Sequence, residues 1–168
     1  MKNVLISIIK WVLIFSTALI IQATIVPKFA ILGVYPDLVL IALFILATES
    51  GSLSGIWGGF FLGLLIDVYS AGIFGINALA NTAVGGAAGI FEKKNVIVEL
   101  PAKLLILLFT VVVRDIFLYV PKLYEAKESI AELPKILAFS TFPMAVYTVL
   151  IATLIFFVLE YFSENYRR

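Results

Sequence analysis

The sequence contains no cysteine and no histidine. Without cysteine there can be no disulfide, no thiolate nucleophile and no cysteine metal site. Without histidine the commonest metal ligand and the usual base of a serine triad are missing too. Charge is also sparse. Charged residues make up 14% of the chain and balance to a net charge of +1, so no basic surface of the kind that binds nucleic acid is available. No G-x-x-x-x-G-K-[ST] phosphate loop occurs, so the chain does not itself consume a nucleotide. A catalyst would have to be assembled from scattered Ser, Asp and Glu, and a cofactor is not implied. The composition therefore points away from an enzyme.

What the chain has in abundance is hydrocarbon. Of 168 residues, 62% are hydrophobic. A soluble domain of this size could not hide that much apolar surface, so the bilayer is the expected solvent. Spanning needs roughly 20 apolar residues per helix, and about six spans would consume most of the chain. The expected fold is all-α, a polytopic membrane bundle forming one domain over residues 1–168. The apolar runs predict spans at 5–26, 37–50, 53–68, 76–91, 102–120 and 136–159. The first run is long and has no A-x-A cleavage pattern after it, so it reads as an uncleaved helix. Residues 37–67 could form two short spans or a re-entrant hairpin, and two tilted or short spans are favoured.

Small residues recur at helical spacing. Gly55, Gly59 and Gly63 lie four residues apart, and Ala47 and Gly51 continue the series backwards. Asn77, Asn81, Gly85 and Gly89 follow the same rule in the next run. Such strips let helices approach closely in lipid, and buried Asn amides call for interhelical hydrogen bonds. The two strips can pack on each other, or present a side-chain-poor groove to another polypeptide. The functional reading from sequence rests on the groove.

Ionisable residues mark the ends of the runs. Pro36 suits the first turn of a helix and Asp37 can cap it. Asp67 ends the glycine-rich run, followed by Gly72 and Gly75. Arg114 and Asp115 lie inside a span, where a charge costs about 2.5–3.5 kcal/mol on insertion scales and is expected to face the bundle. The proposed intramembrane pair joins Arg114 to Asp67, with Asp37 as the other candidate and snorkelling to the headgroups as the competing account. Ser16, Thr17, Gln22 and Thr24 read as tolerated mild polarity. The segment Pro121 to Pro134 reads as an interfacial helix built on Leu123, Tyr124, Ile130 and Leu133, and Pro143 is expected to kink the last span. Lys2, Lys10, Lys93, Lys94, Lys103, Arg167 and Arg168 outnumber Lys28, Lys122, Lys127 and Lys135 at the opposite ends, which places both termini in the cytoplasm.

One ordered set of motifs is specific. P-D-L-V-L-I-A-L, a glycine-containing turn, G-x-x-x-G-F-F-L-G-L-L-I-D and then S-A-G-I-F-G-I-N-A-L-A closely resemble the MreD family of rod-shape-determining proteins, most strongly from Pro36 to about Gly89. The resemblance implies a bacterial inner-membrane component of the cell-elongation machinery. It implies a partner, the bitopic scaffold MreC, and through it MreB filaments, the RodA glycosyltransferase and a class B penicillin-binding protein, with a homodimer within the complex as a further option. It also implies a fold similar to the membrane substrate-binding subunits of energy-coupling-factor transporters. Hence comes an alternative function, capture of a vitamin-like small molecule in a pocket lined by Asp37, Asp67, Asn77, Arg114 and Tyr119. The family supplies no catalytic residues. Pro36, Asp37, the glycines and Asp67 carry over as motif positions only.

Overall fold

The computed structural model describes residues 2–31, 33–70, 72–92, 99–125, 131 and 133–165. Lys93, Lys94, Arg167, Arg168 and part of the expected interfacial helix (126–130 and 132) lie outside the described residues. The architecture is helical throughout the described residues, apart from one isolated bridge between Ile31 and Val34. Helices run α1 Lys2–Thr24, α2 Leu38–Ser50, α3 Ser52–Tyr69, α4 Ile76–Ala88, α5 Leu100–Glu125, α6 Leu133–Ile136 and α7 Phe142–Asn165. A 3-10 turn at Val26–Phe29 follows α1, and another at Gly89–Phe91 prolongs α4.

The chain passes up and down. Gln22 at the end of α1 meets Pro36 and Leu38 at the start of α2, while Lys10 meets Glu49 at the far end. Lys103 early in α5 meets Glu160 late in α7, and Asp115 meets Thr141 at the other end of the same pair. Among the described residues, four stretches are long and apolar enough to cross a membrane: Leu5–Thr24, Ser52–Tyr69, Leu100–Pro121 and Leu133–Tyr161. The helices at Leu38–Ser50 and Ile76–Phe91 are shorter.

Short α2 is the centre of the bundle. Its 13 residues rise about 20 Å, well under the ~30 Å of hydrocarbon. Every residue from Val39 to Phe44 is buried, so the helix has no lipid-facing stripe. Leu43 and Val39 pack with Trp11 and Leu62, Phe44 and Ile41 with Leu107 and Ala152, and Leu40 with Val84, Val111 and Ala145. One helix thus touches α1, α3, α4, α5 and α7. Gly51 (φ 85°) joins α2 directly to α3, a backbone angle that a residue with a side chain would adopt only under strain.

The glycine strip is closed inside the molecule, and this corrects the groove expectation. A Cβ on Gly55 would strike the Gly85 carbonyl, one on Gly59 the Asn81 carbonyl, and one on Gly63 the backbone of Asn77 and Ala78. A Cβ on Gly85 would strike Gly55, and one on Gly89 would strike Ser52. The two strips cover each other at backbone contact, which leaves no groove there for another chain. Gly72 has nothing within 4 Å of its Cβ position and does no packing. Gly75 likewise meets nothing, but its φ of 94° starts α4.

Pro121 and Pro36 depart from expectation, while Pro143 lies beside an altered helical ladder. Helix α5 continues through Pro121 to Glu125 instead of ending before it. Before Pro143 the chain widens into a π-helical turn, Leu137–Thr141, that joins α6 to α7. The missing N–H of Pro143 is absorbed where the ladder has already changed pitch. Pro36, expected as the first helical residue, stays one position outside, because the side chain of Asp37 is the cap.

Gly59→Leu and Gly63→Leu are expected to destabilise the protein by about 3 kcal/mol or more, since backbone cannot yield as a side chain would. Gly72→Ala should leave the melting temperature within a degree or so of wild type. Thermal unfolding of the purified variants in detergent checks both.

Candidate functional site

Polar side chains gather where α2 begins. Asp37 accepts a hydrogen bond from the Leu40 amide through Oδ1 at 2.8 Å and pairs through Oδ2 with Arg114 Nη1 at 2.6 Å. Its own amide donates to Thr148 Oγ1 at 3.0 Å. Arg114 Nε donates to Asn81 Oδ1 at 2.8 Å. Arg114 and Asp37 are 8% and 9% exposed, and Asn81 and Thr148 are fully buried. Four helices are therefore pinned at one level: α2 by Asp37, α4 by Asn81, α5 by Arg114 and α7 by Thr148. Gln22 adds α1, donating to the Pro36 carbonyl at 3.1 Å and accepting from the Leu38 amide at 2.9 Å.

The geometry follows from elementary needs. A helix leaves its first amides unpaired, and a carboxylate at the cap accepts one of them while answering the positive end of the dipole. Arginine at membrane depth needs a counter-charge and acceptors in fixed directions, which Asp37 and Asn81 provide. Each partner thereby removes the other's desolvation problem.

Asp67 does a different job, and the expected Arg114–Asp67 pair is corrected. Its Oδ1 accepts from the Asn77 amide at 3.1 Å and from Asn77 Nδ2 at 2.9 Å, and its Oδ2 accepts from the Ala78 amide at 3.1 Å. Helix α4 begins at Gly75, which has no side chain to cap with. A carboxylate from the end of α3 caps it across the turn. That use of both oxygens leaves Asp37 as the partner of Arg114. Asn77 and Asn81, equivalent by spacing, part ways: Asn77 donates to the Asp67 carboxylate and Asn81 accepts from Arg114.

Asp115 points to another helix from its neighbour. Its Oδ2 accepts from Thr141 Oγ1 at 2.7 Å, within the π-helical turn. Gln22, Thr141 and Thr148 were not legible as site residues. Isolated mild polarity in an apolar run is the only signal they give, and most such residues bond only their own backbone, as Thr17 and Thr24 do here.

A cavity of ≈ 830 Å³ lies beside this network. Its lining includes the buried Asp37, Arg114 and Asp115, the apolar Leu65, Ile66 and Leu118, and Tyr35, Tyr69, Ser70 and Tyr119. The second half of α1 supplies the remaining wall, from Ser16 to Thr24. Of the residues expected to line a small-molecule pocket, Asp37, Arg114 and Tyr119 border it; Asp67 and Asn77 are taken up at the α3–α4 turn. Among the described residues no group of three or more acidic side chains could hold a metal ion.

Asp37→Asn keeps an acceptor for the Leu40 amide but leaves the arginine charge uncompensated. It is expected to cost about 3–5 kcal/mol, and Arg114→Met in the same chain should restore most of that. Urea or thermal unfolding of the single and double variants tests the pair. Equal stability of Asp37→Asn and wild type would dismiss it.

A search of curated proteins and a search of solved structures each return no match. A family model, by contrast, matches residues 3–166, nearly the whole chain, and its description is rod shape-determining protein MreD. This match assigns the chain: it belongs to the MreD family of rod shape-determining proteins.

Proposed function

We propose that the protein is a non-catalytic membrane scaffold of the bacterial cell-elongation complex, lying in the cytoplasmic membrane with both termini inside. The observation that carries the reading is how its intramembrane charges are used. Asp37 and Asp67 are engaged by helix amides, and Asp37 also by Arg114, so these groups hold helices in place. They are not arranged as a nucleophile and its base. Membership of the MreD family supplies the context of rod shape determination.

The proposed partner is the membrane helix of MreC, through which MreB, RodA and a class B penicillin-binding protein are reached. Because the glycine strips are closed, the partner helix rests on lipid-facing side chains. Helix α3 offers a ridge of stacked aromatics there, with Trp57 and Phe61 more than half exposed and 5.9 Å between ring centroids. A second copy of the chain would use the same kind of surface. The proposed fold likeness to the substrate-binding subunits of energy-coupling-factor transporters draws support from the up-and-down bundle with a cavity toward one end.

Purification from a native membrane in mild detergent, followed by mass spectrometry, tests the scaffold reading. Recovery of MreC in stoichiometric amount is expected, and its absence from well-folded preparations counts against the proposal. For orientation, Ser52→Cys in this cysteine-free chain is expected to react with an impermeant maleimide from the cytoplasmic side only.

A further inference from the structure

We propose that the cavity beside Arg114 is a binding site for an uncharged, mainly hydrocarbon molecule carrying a carbonyl or hydroxyl oxygen at one end. Its ≈ 830 Å³ falls within the roughly 300–1,000 Å³ typical of ligand pockets. Much of the wall is Leu19, Ile20, Leu65, Ile66, Leu118 and Met144, none of which carries a side-chain hydrogen-bond donor. An apolar body is therefore what this wall accepts.

Two polar groups on its wall are left over. Arg114 uses Nε on Asn81 and Nη1 on Asp37, while its Nη2 bonds to none of the described residues. The hydroxyl of Ser70 is buried without a partner among the described residues. Leaving a buried polar group unpaired costs about 1–3 kcal/mol, and in the same network the Asn81 Nδ2 is also buried without a partner among the described residues, although Asn81 does not line the cavity. An oxygen acceptor on the ligand would complete the guanidinium, and a second one would engage Ser70.

Charge decides the class. Asp37 already answers the arginine, and Asp115 stands on the same wall with its Oδ2 held by Thr141. An added anion would meet two carboxylates in a low-dielectric space. A neutral carbonyl or hydroxyl oxygen satisfies Nη2 without that repulsion. This chemistry is shared by neutral lipids such as monoacylglycerols and by small amides or alcohols from the aqueous side. The inference is independent of the scaffold reading, because it concerns occupancy of the chain itself and not recovery of a partner.

The test uses the full chain in nanodiscs, with 1-monooleoylglycerol, oleate and acetanilide as probes, read by native mass spectrometry and by the shift in melting temperature. Saturable one-to-one binding of monooleoylglycerol is expected, weakened at least tenfold in Ala23→Trp and Leu118→Trp, which fill the cavity. Ser70→Ala should weaken it about three- to tenfold. Binding of acetanilide but not of monooleoylglycerol supports the site with a small aqueous molecule as the source. Oleate binding as well as monooleoylglycerol overturns the assignment of an uncharged ligand. Binding of neither neutral probe, or equal binding by folded tryptophan variants, overturns the site.

Discussion

The contact between Arg114 and Asp37 fixes the arrangement of everything around it. Neither charge is tolerable alone at that depth, and the carboxylate is committed to the first turn of α2 by its bond to the Leu40 amide. Wherever α5 places its guanidinium, α2 must begin. That constraint explains how a helix too short to span can occupy the centre of the bundle. The network of Asn81, Thr148 and Gln22 then brings the remaining helices to the same level.

The two carboxylates at helix ends illustrate how much the chain discloses before it is folded. Both Asp37 and Asp67 announce themselves as boundary residues next to Pro or Gly, and the capping role was legible for Asp37. Which of them meets Arg114 was not, because run lengths give no relative depth. The decisive fact is that α4 starts with a glycine, so Asp67 is drawn to the amides of Asn77 and Ala78. The sequence shows the need for a cap only as an absence.

The small-residue strips show a second limit. Four-residue spacing of Gly55, Gly59 and Gly63 gives a close-packing face, and the same spacing from Asn77 to Gly89 gives another. Nothing in one strip says what covers it. Geometry answers that: the strips run antiparallel, backbone to backbone, over the length of α4. What remains outward is ordinary bulky hydrocarbon, such as Leu53, Phe61 and Leu65 on α3. Gln22 and Thr148 were missed for the opposite reason. Their residue types are common in membrane helices, and only a partner distant in sequence distinguishes them.

The separation of Arg114 from Asp37 along the chain has a consequence for synthesis. They are 77 residues apart, so a growing polypeptide delivers the acid long before the base. Until the fifth helix emerges, the carboxylate has its own helix end and no countercharge, and the second helix lacks the wall that Leu107, Val111, Ala145 and Ala152 later supply. The centre of the finished molecule is therefore the part that must wait longest at the translocon.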